Sequence, residues 1–173
     1  ARECNPKLKR LGVLCMIGDA ESEASRNSLE KIAAGMGIEV VAQSYTTPSE
    51  VVEASRALAL RKVDALIPLS DPYCSIVYSV LSKLGAERRI PLLGFWPQSD
   101  VQASLICMNV GHQEAIDSYA QMVVRVLRGE DPQKIPFLDA SARATSLIVN
   151  LKAAGDCGLA VPEAVQKRAT EVI

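Results

Sequence analysis

The sequence predicts an α/β fold of the Rossmann-like kind, a parallel sheet with helices on both faces, and three observations carry the expectation. Short apolar runs without helical periodicity recur between residues 11 and 108, as strands buried on both faces do. The stretches between them place apolar residues at three- and four-residue intervals, the signature of amphipathic helices. Strand and helix then alternate, which is the order of parallel βαβ units.

Residues 11–16, Leu-Gly-Val-Leu-Cys-Met, form the first expected strand, and Ile17-Gly18-Asp19-Ala20 breaks it. A helix follows with Ser25, Leu29, Ile32, Ala33 and Met36 inward and Glu23, Arg26, Asn27, Glu30 and Lys31 outward, closed by Gly37 as a C′ glycine. Residues 38–44 are β-branched and read as the second strand. Thr47-Pro48-Ser49-Glu50 then supplies a capping hydroxyl, a first-turn proline and a capping-box glutamate. The second helix is therefore expected from Pro48 to about Arg61, with Val51, Ala54, Leu58 and Leu60 inward. Residues 65–69 give a third strand, and Asp71-Pro72 opens a helix with Ile76, Val77, Val80, Leu81 and Leu84 on one face. Residues 91–94 and 103–108 complete five parallel strands. A long helix over 113–128 carries Ile116, Tyr119, Ala120, Val123, Val124 and Leu127 on one stripe and ends at Gly129. Asp131-Pro132 marks a turn, 135–138 and 145–150 read as extended, and short helices follow at 151–154 and after Pro162. The pattern divides into an α/β lobe over 1–110, a long helix and turn over 111–138, and a wrap-around tail over 139–173.

Composition narrows the function. The 173 residues are 49% hydrophobic and 23% charged, an ordinary globular balance. With Lys+Arg 19 against Asp+Glu 20, the net charge is −1, so no basic excess exists for nucleic acid or an anionic membrane surface. No apolar run approaches the about 20 residues that a bilayer span needs. The first ten residues are polar and lack a signal-peptide core, which reads as a processed chain or an excised piece. Five cysteines form neither a CxxC nor a Cys/His cluster, so no metal site and no disulfide framework is expected. Cys15 and Cys107 read as small hydrophobes within strands.

Open parallel sheets bind ligands outside the carboxyl ends of their strands, which directs attention to three loops. Gly18, Asp19, Glu21 and Ser22 lie at a helix N-terminus, where N–H groups favour a polar ligand group. Helix capping by Glu21 or Ser22 explains them equally well. A single glycine and two acids exclude a dinucleotide or P-loop site. Asp71, Pro72 and Tyr73 follow the third strand, and Phe95 and Trp96 the fourth. Three aromatic side chains in two loops suit either a small-molecule pocket or a plug over the sheet end. His112 is the only histidine, which removes most nucleophilic triads and imidazole zinc sites. Its place near a helix start suits a cap. Asp19, Glu21, Asp71 and Asp100 form no acid–base pair that spacing alone identifies, so the chain reads as a non-enzyme without cofactor.

Three stretches then show a family likeness. Asn5-Pro6-Lys7-Leu8-Lys9-Arg10-Leu11-Gly12-Val13-Leu14 is similar to the start of the second lobe of solute-binding proteins of ATP-binding-cassette importers, of the tryptophan/tyrosine-binding kind. Lys62-Val63-Asp64-Ala65-Leu66-Ile67-Pro68, followed by Asp71-Pro72, resembles that family's third strand and ligand loop. The tail is the most specific part. Val126-Leu127-Arg128-Gly129-Glu130-Asp131-Pro132-Gln133-Lys134-Ile135-Pro136 resembles "ILKGxxPxxIPV". Leu147-Ile148-Val149-Asn150-Leu151-Lys152-Ala153-Ala154, Gly158-Leu159-Ala160-Val161-Pro162 and Ala169-Thr170-Glu171-Val172-Ile173 resemble "LVINLKAAKxLGLxIPxxxxxxADEVI".

The resemblance implies one lobe of a type I periplasmic-binding-protein fold, the second of two lobes that close on a small solute such as an amino acid. It further implies a membrane permease as partner and a periplasmic or cell-surface location. In the family pattern Gly-Glu-x-Asn-Ser, matched by Gly18 to Ser22, Glu21 replaces the amide; Gly111 and Phe95-Trp96-Pro97 also depart from it. A cytoplasmic ligand-sensing domain of a regulator is the alternative, since the same fold serves sensors and unpaired cysteines suit a reducing compartment. Without a first lobe, the stripe on helix 113–128 is expected to join two copies into a homodimer, unless the helix folds back on its own sheet.

Overall fold

A computed structural model describes residues 1–95, 103–110, 112–136 and 145–173. Its strands are β1 (Arg10–Met16), β2 (Glu39–Tyr45), β3 (Ala65–Ile67), β4 (Leu92–Gly94), β5 (Ser104–Val110), β6 (Thr145–Val149) and β7 (Glu171–Val172). They form one sheet in the order β2-β1-β3-β4-β5-β6-β7. The five strands expected to run parallel do so. The returning strand β6 pairs antiparallel with β5, and β7 pairs parallel with β6.

Proline sets two of the strand limits. β3 stops at Ile67 rather than 69 because Pro68 has no N–H to give the ladder, and Pro91 likewise precedes β4. β5 continues to Val110, two residues past the expected end, because β6 pairs along it as far as Val110 with Thr145.

Alternate residues of β1 feed two separate cores, as the pleat requires. Leu11, Val13 and Cys15 pack with Ala33, Ile38, Ala65 and Ile67 beneath α1 (Ala20–Gly35). Leu14 faces the opposite side, among Val41, Tyr45, Leu58, Leu66, Val77 and Leu81. That second core is closed by α2 (Val51–Leu60) and α3 (Cys74–Arg88). A third cluster joins Leu105, Ile106 and Val149 to Cys4, Ala154, Val161 and Val165. It binds the tail helices α5 (Leu151–Asp156) and α6 (Glu163–Arg168) to the sheet.

Several helix assignments change. Pro48–Glu50 is a 3₁₀ turn and α2 proper begins at Val51. Glu50 Oε2 does reach back, but to the Thr46 N–H at 2.8 Å, while Thr47 Oγ1 pairs with Ser49 Oγ instead of capping. Leu60 is 78% exposed because α2 ends there, and Ile32, Met36 and Ile76 also lie outside their helices' buried stripes. α1 meets the sheet chiefly through Ser22 and Ala33, since small residues let a helix sit close. α4 (His112–Leu127) does not fold back on the sheet: Ile116, Tyr119, Val123, Val124 and Leu127 are all exposed. Residues 132–134 form a 3₁₀ turn, and of the expected extended stretch 135–138 the last two residues lie outside the described ones.

One close approach fixes how α3 returns to β4. A Cβ on Gly85 would lie 2.7 Å from the Ile90 carbonyl oxygen, and the Ile90 N–H donates to the Gly85 carbonyl at 2.9 Å. Alanine normally stabilises a helix interior by about 1 kcal/mol over glycine. Here Gly85→Ala is expected to destabilise the chain by about 1–3 kcal/mol through backbone displacement, read as a lower urea midpoint with unchanged m-value.

Candidate functional site

The loops after β1 and β3 meet because those strands are neighbours. Gly18 has φ +79°, a conformation that glycine adopts without a Cβ penalty, and it turns the chain into α1. Asp19 caps that helix, its Oδ1 accepting the Ser22 N–H at 2.7 Å. The fully buried Ser22 Oγ accepts the Met16 N–H at 2.9 Å and lies 3.6 Å from Cys15 Sγ. Both side chains thus hold the loop's own shape, and the cap falls to Asp19 rather than to Glu21 or Ser22.

Glu21 is exposed, and its Oε1 accepts the Ser70 hydroxyl at 2.6 Å, which ties the β1 loop to the β3 loop. Ser70 belongs to a loop the sequence marked but was not itself singled out; a serine after a strand carries no distinguishing signal. Asp71 is only 6% exposed. Its Oδ1 accepts the Tyr73 N–H at 2.7 Å and its carbonyl accepts the Cys74 N–H at 3.2 Å, an Asx turn that leads into α3. Pro72 is exposed, and Tyr73 is half-buried against the α2/α3-side core. Phe95 is 47% exposed just beyond β4. Trp96, Pro97 and Asp100 lie outside the described residues, as does Gly111.

Tyr45 escaped sequence reading because a tyrosine closing an apolar strand looks like core. It is 1% exposed, and its hydroxyl faces Asp71. Burial first, then the Asp71 carboxylate, holds that hydroxyl far above the usual tyrosine range, so it is a proton donor at every physiological pH.

The charge of this edge is one-sided. Across residues 17–23, 68–74 and 94–95 stand Asp19, Glu21, Glu23 and Asp71, with neither lysine nor arginine. Such a surface repels phosphate and favours neutral or positively charged groups. Among the described residues no three His, Cys, Asp or Glu side chains gather closely enough to hold a metal ion. None of the described helices is long and apolar enough to cross a membrane.

A mostly parallel sheet with helices on both faces and polar loops along its carboxyl edge defines the class of α/β lobes that take ligands at that edge. The comparison with known families makes this particular: residues 1–173 match throughout, and the chain belongs to the ABC transporter substrate binding protein family. It is 26% identical over 145 residues to a tyrosine-binding protein of Clostridioides difficile (strain R20291), covering 84% of this chain and 41% of the relative. A conserved domain protein from Vibrio cholerae O1 biovar El Tor superposes with a TM-score of 0.84 at 25% identity, over 99% of this chain and 57% of that one. An ABC domain from Streptococcus pneumoniae, solved in complex with L-Trp, shares the fold with a TM-score of 0.83 at 21% identity, over 99% and 57%. The chain thus spans about half the length of the relatives it matches.

The two loop-internal side chains make distinct demands. Ser22→Ala would remove the partner of the part-buried Met16 N–H and is expected to cost about 1–3 kcal/mol, whereas Asp19→Ala removes a cap for about 1 kcal/mol. Chemical denaturation of the two variants, compared with Glu21→Ala, which is expected within about 0.5 kcal/mol of wild type, checks the ordering.

Proposed function

We propose that this chain is the second lobe of a two-lobed clamp that binds a small solute, the substrate-binding component of an ABC importer. The observation that carries the reading is the Ser70–Glu21 contact, which joins two ligand-side loops into one polar rim with Tyr73 and Phe95 beside it. The rim's exclusive acidity favours a solute with a positively charged nitrogen, and its rings favour an apolar or aromatic body. An aromatic amino acid combines both, and the relatives named for tyrosine and solved with L-Trp support that class. In this reading Gly18, Asp19, Glu21, Ser22, Asp71, Pro72, Tyr73, Phe95 and Trp96 form the lobe's ligand edge, some by contact and some by shaping it. Residues 111–138 form the crossover and hinge, and 139–173 the returning tail. The partner in this reading is a membrane permease, and the lobe itself works in the periplasm or at the cell surface. The rival, a cytoplasmic sensor domain, draws on the five free thiols.

The bare stripe of α4 supports the two-lobed reading. Met122, Val123, Val126 and Leu127 line a groove of about 370 Å³ with Pro132 and Ile135, apolar surface that a first lobe would cover. The same stripe would join two copies of this chain when no first lobe is present. Light scattering at micromolar concentration is expected to show a dimer that Val123→Glu returns to monomer; a wild-type monomer overturns this part.

Thermal melts with L-tyrosine, L-tryptophan, tyramine and 3-(4-hydroxyphenyl)propionate test the solute class. The amine-bearing solutes are expected to raise the melting temperature, by the equivalent of about 2.7 kcal/mol at a hundred times Kd, and the deaminated acid is not. Glu21→Ala should reduce the shift without lowering the unliganded melting point. Stabilisation by the deaminated acid alone would overturn the charge preference, and no shift with any of the four overturns the aromatic amino-acid reading.

A further inference from the structure

Two buried polar atoms near the carboxyl edge have no hydrogen-bond partner: the Tyr45 hydroxyl and Asp71 Oδ2. They face one another. Tyr45 ends β2 opposite Met16, Asp71 lies beyond β3, and β1 runs between those two strands, so a bond between them would pass across the end of β1. Chemistry makes them complementary, because a carboxylate only accepts and a protonated phenol donates. The other groups whose charge bears on this hydroxyl are Cys15 and Asp19. Cys15 Sγ already takes the Ser22 hydroxyl and Asp19 caps α1. Asp71 Oδ2 is the acceptor left over, and burying either atom unpaired is costly.

We infer that Tyr45 and Asp71 form a buried hydroxyl–carboxylate strut that fixes the loop between β3 and α3, which makes Tyr45 a positioning residue of the ligand edge. The division of labour along the loop follows. Asp71, a buried residue, turns inward to Tyr45 and to the Tyr73 N–H, whereas exposed Ser70 before it and half-buried Tyr73 after it are what the loop offers to a solute. The strut rests on the burial of both groups, their lack of any other partner and the neighbouring strand ends that carry them; its bearing on ligand rests on the solute-binding reading above.

Amide hydrogen exchange reads the strut without any ligand, since the Tyr73 and Cys74 N–H groups both donate to Asp71. Tyr45→Phe, which keeps the ring and its packing, is expected to speed exchange at these two amides on the order of tenfold beyond any change in global unfolding. Asp71→Asn should do the same, and the double variant should add little to either. A second readout is the alkaline limb of stability. Burial, Asp71, Cys15 and Asp19 all raise the Tyr45 pKa in the folded state, so its contribution is complete below the ordinary value of 10 and is lost as pH climbs above it. The stability difference between wild type and Tyr45→Phe should therefore shrink above pH 10. Unchanged exchange at Tyr73 in Tyr45→Phe, or fully additive effects in the double variant, would overturn the strut. Titration with L-tyrosine completes the test: weaker binding by Tyr45→Phe supports positioning, and equal binding with faster loop exchange refutes it. Should the wild type bind no probe, the solute reading fails while the exchange data still decide the strut.

Discussion

β1 is hydrogen-bonded along both edges, to β2 from Arg10 through Met16 and to β3 from Leu11 through Val13. A strand paired on both sides and covered on both faces has nowhere to expose its backbone, so its paired centre, Leu11 to Cys15, must be apolar. That pairing sets the ends of β1, β2 and β3 side by side. It brings together Ser22 with Met16, Glu21 with Ser70, and Tyr45 with Asp71, none of which are sequence neighbours. Asp64 reinforces the opposite end, its Oδ2 accepting the Lys9 and Arg10 N–H groups where β1 enters the sheet.

The fold was legible because it depends on periodicity and on breakers, both local. Apolar runs at 11–16 and 38–44 had no other use, and Pro48, Pro72 and Gly37 punctuate the helices. Errors arose where burial depends on how far a helix overlaps the sheet. Leu60, Ile32 and Ile76 keep helical spacing yet fall outside the covered width, which a wheel drawn from sequence does not contain. The site shows the same division. A cap on α1 is legible because Asp19 and its partner Ser22 stand three residues apart, although the sequence points to Glu21 or Ser22 as the capping side chain and the structure gives that part to Asp19. Ser70 and Tyr45 were missed because their partners are supplied by topology, and a tyrosine that ends a strand differs from ordinary core only through the carboxylate opposite its hydroxyl.

α4 obeys a different balance. A helix stabilised by packing buries its apolar stripe, yet this one leaves Ile116, Tyr119, Val123 and Leu127 in water, at about 25 cal/mol for each Å² of apolar surface left uncovered. Its local support is modest: an Arg125–Glu130 ion pair near its end and the turn through Gly129. Exposed pairs of this kind contribute about 0–1 kcal/mol. An exposed apolar stripe of that extent is the kind of surface that marks an interaction site.

The electrostatics of the ligand edge decide between two opposing effects. The N-termini of α1 and α3 point at this edge, and each helix end carries roughly half a positive charge, which by itself invites an anion. Asp19, Glu21 and Glu23 lie in or beside the first turn of α1, and Asp71 precedes α3. Four carboxylates outweigh two half-charges. Asp19 and Asp71 spend an oxygen each on backbone N–H groups, so part of their charge serves to quench the helix ends. Glu23 likewise accepts the Gly18 N–H at 3.3 Å, and Glu21, bonded to the neutral Ser70 hydroxyl, is the exposed carboxylate that no backbone N–H takes up. An amino acid presented to this edge would therefore arrive nitrogen first, and in the proposed clamp its carboxylate would have to be met by donors on the other lobe. Opposite ends of one zwitterion read by opposite lobes would give closure its selectivity, because neither lobe alone would satisfy both charges.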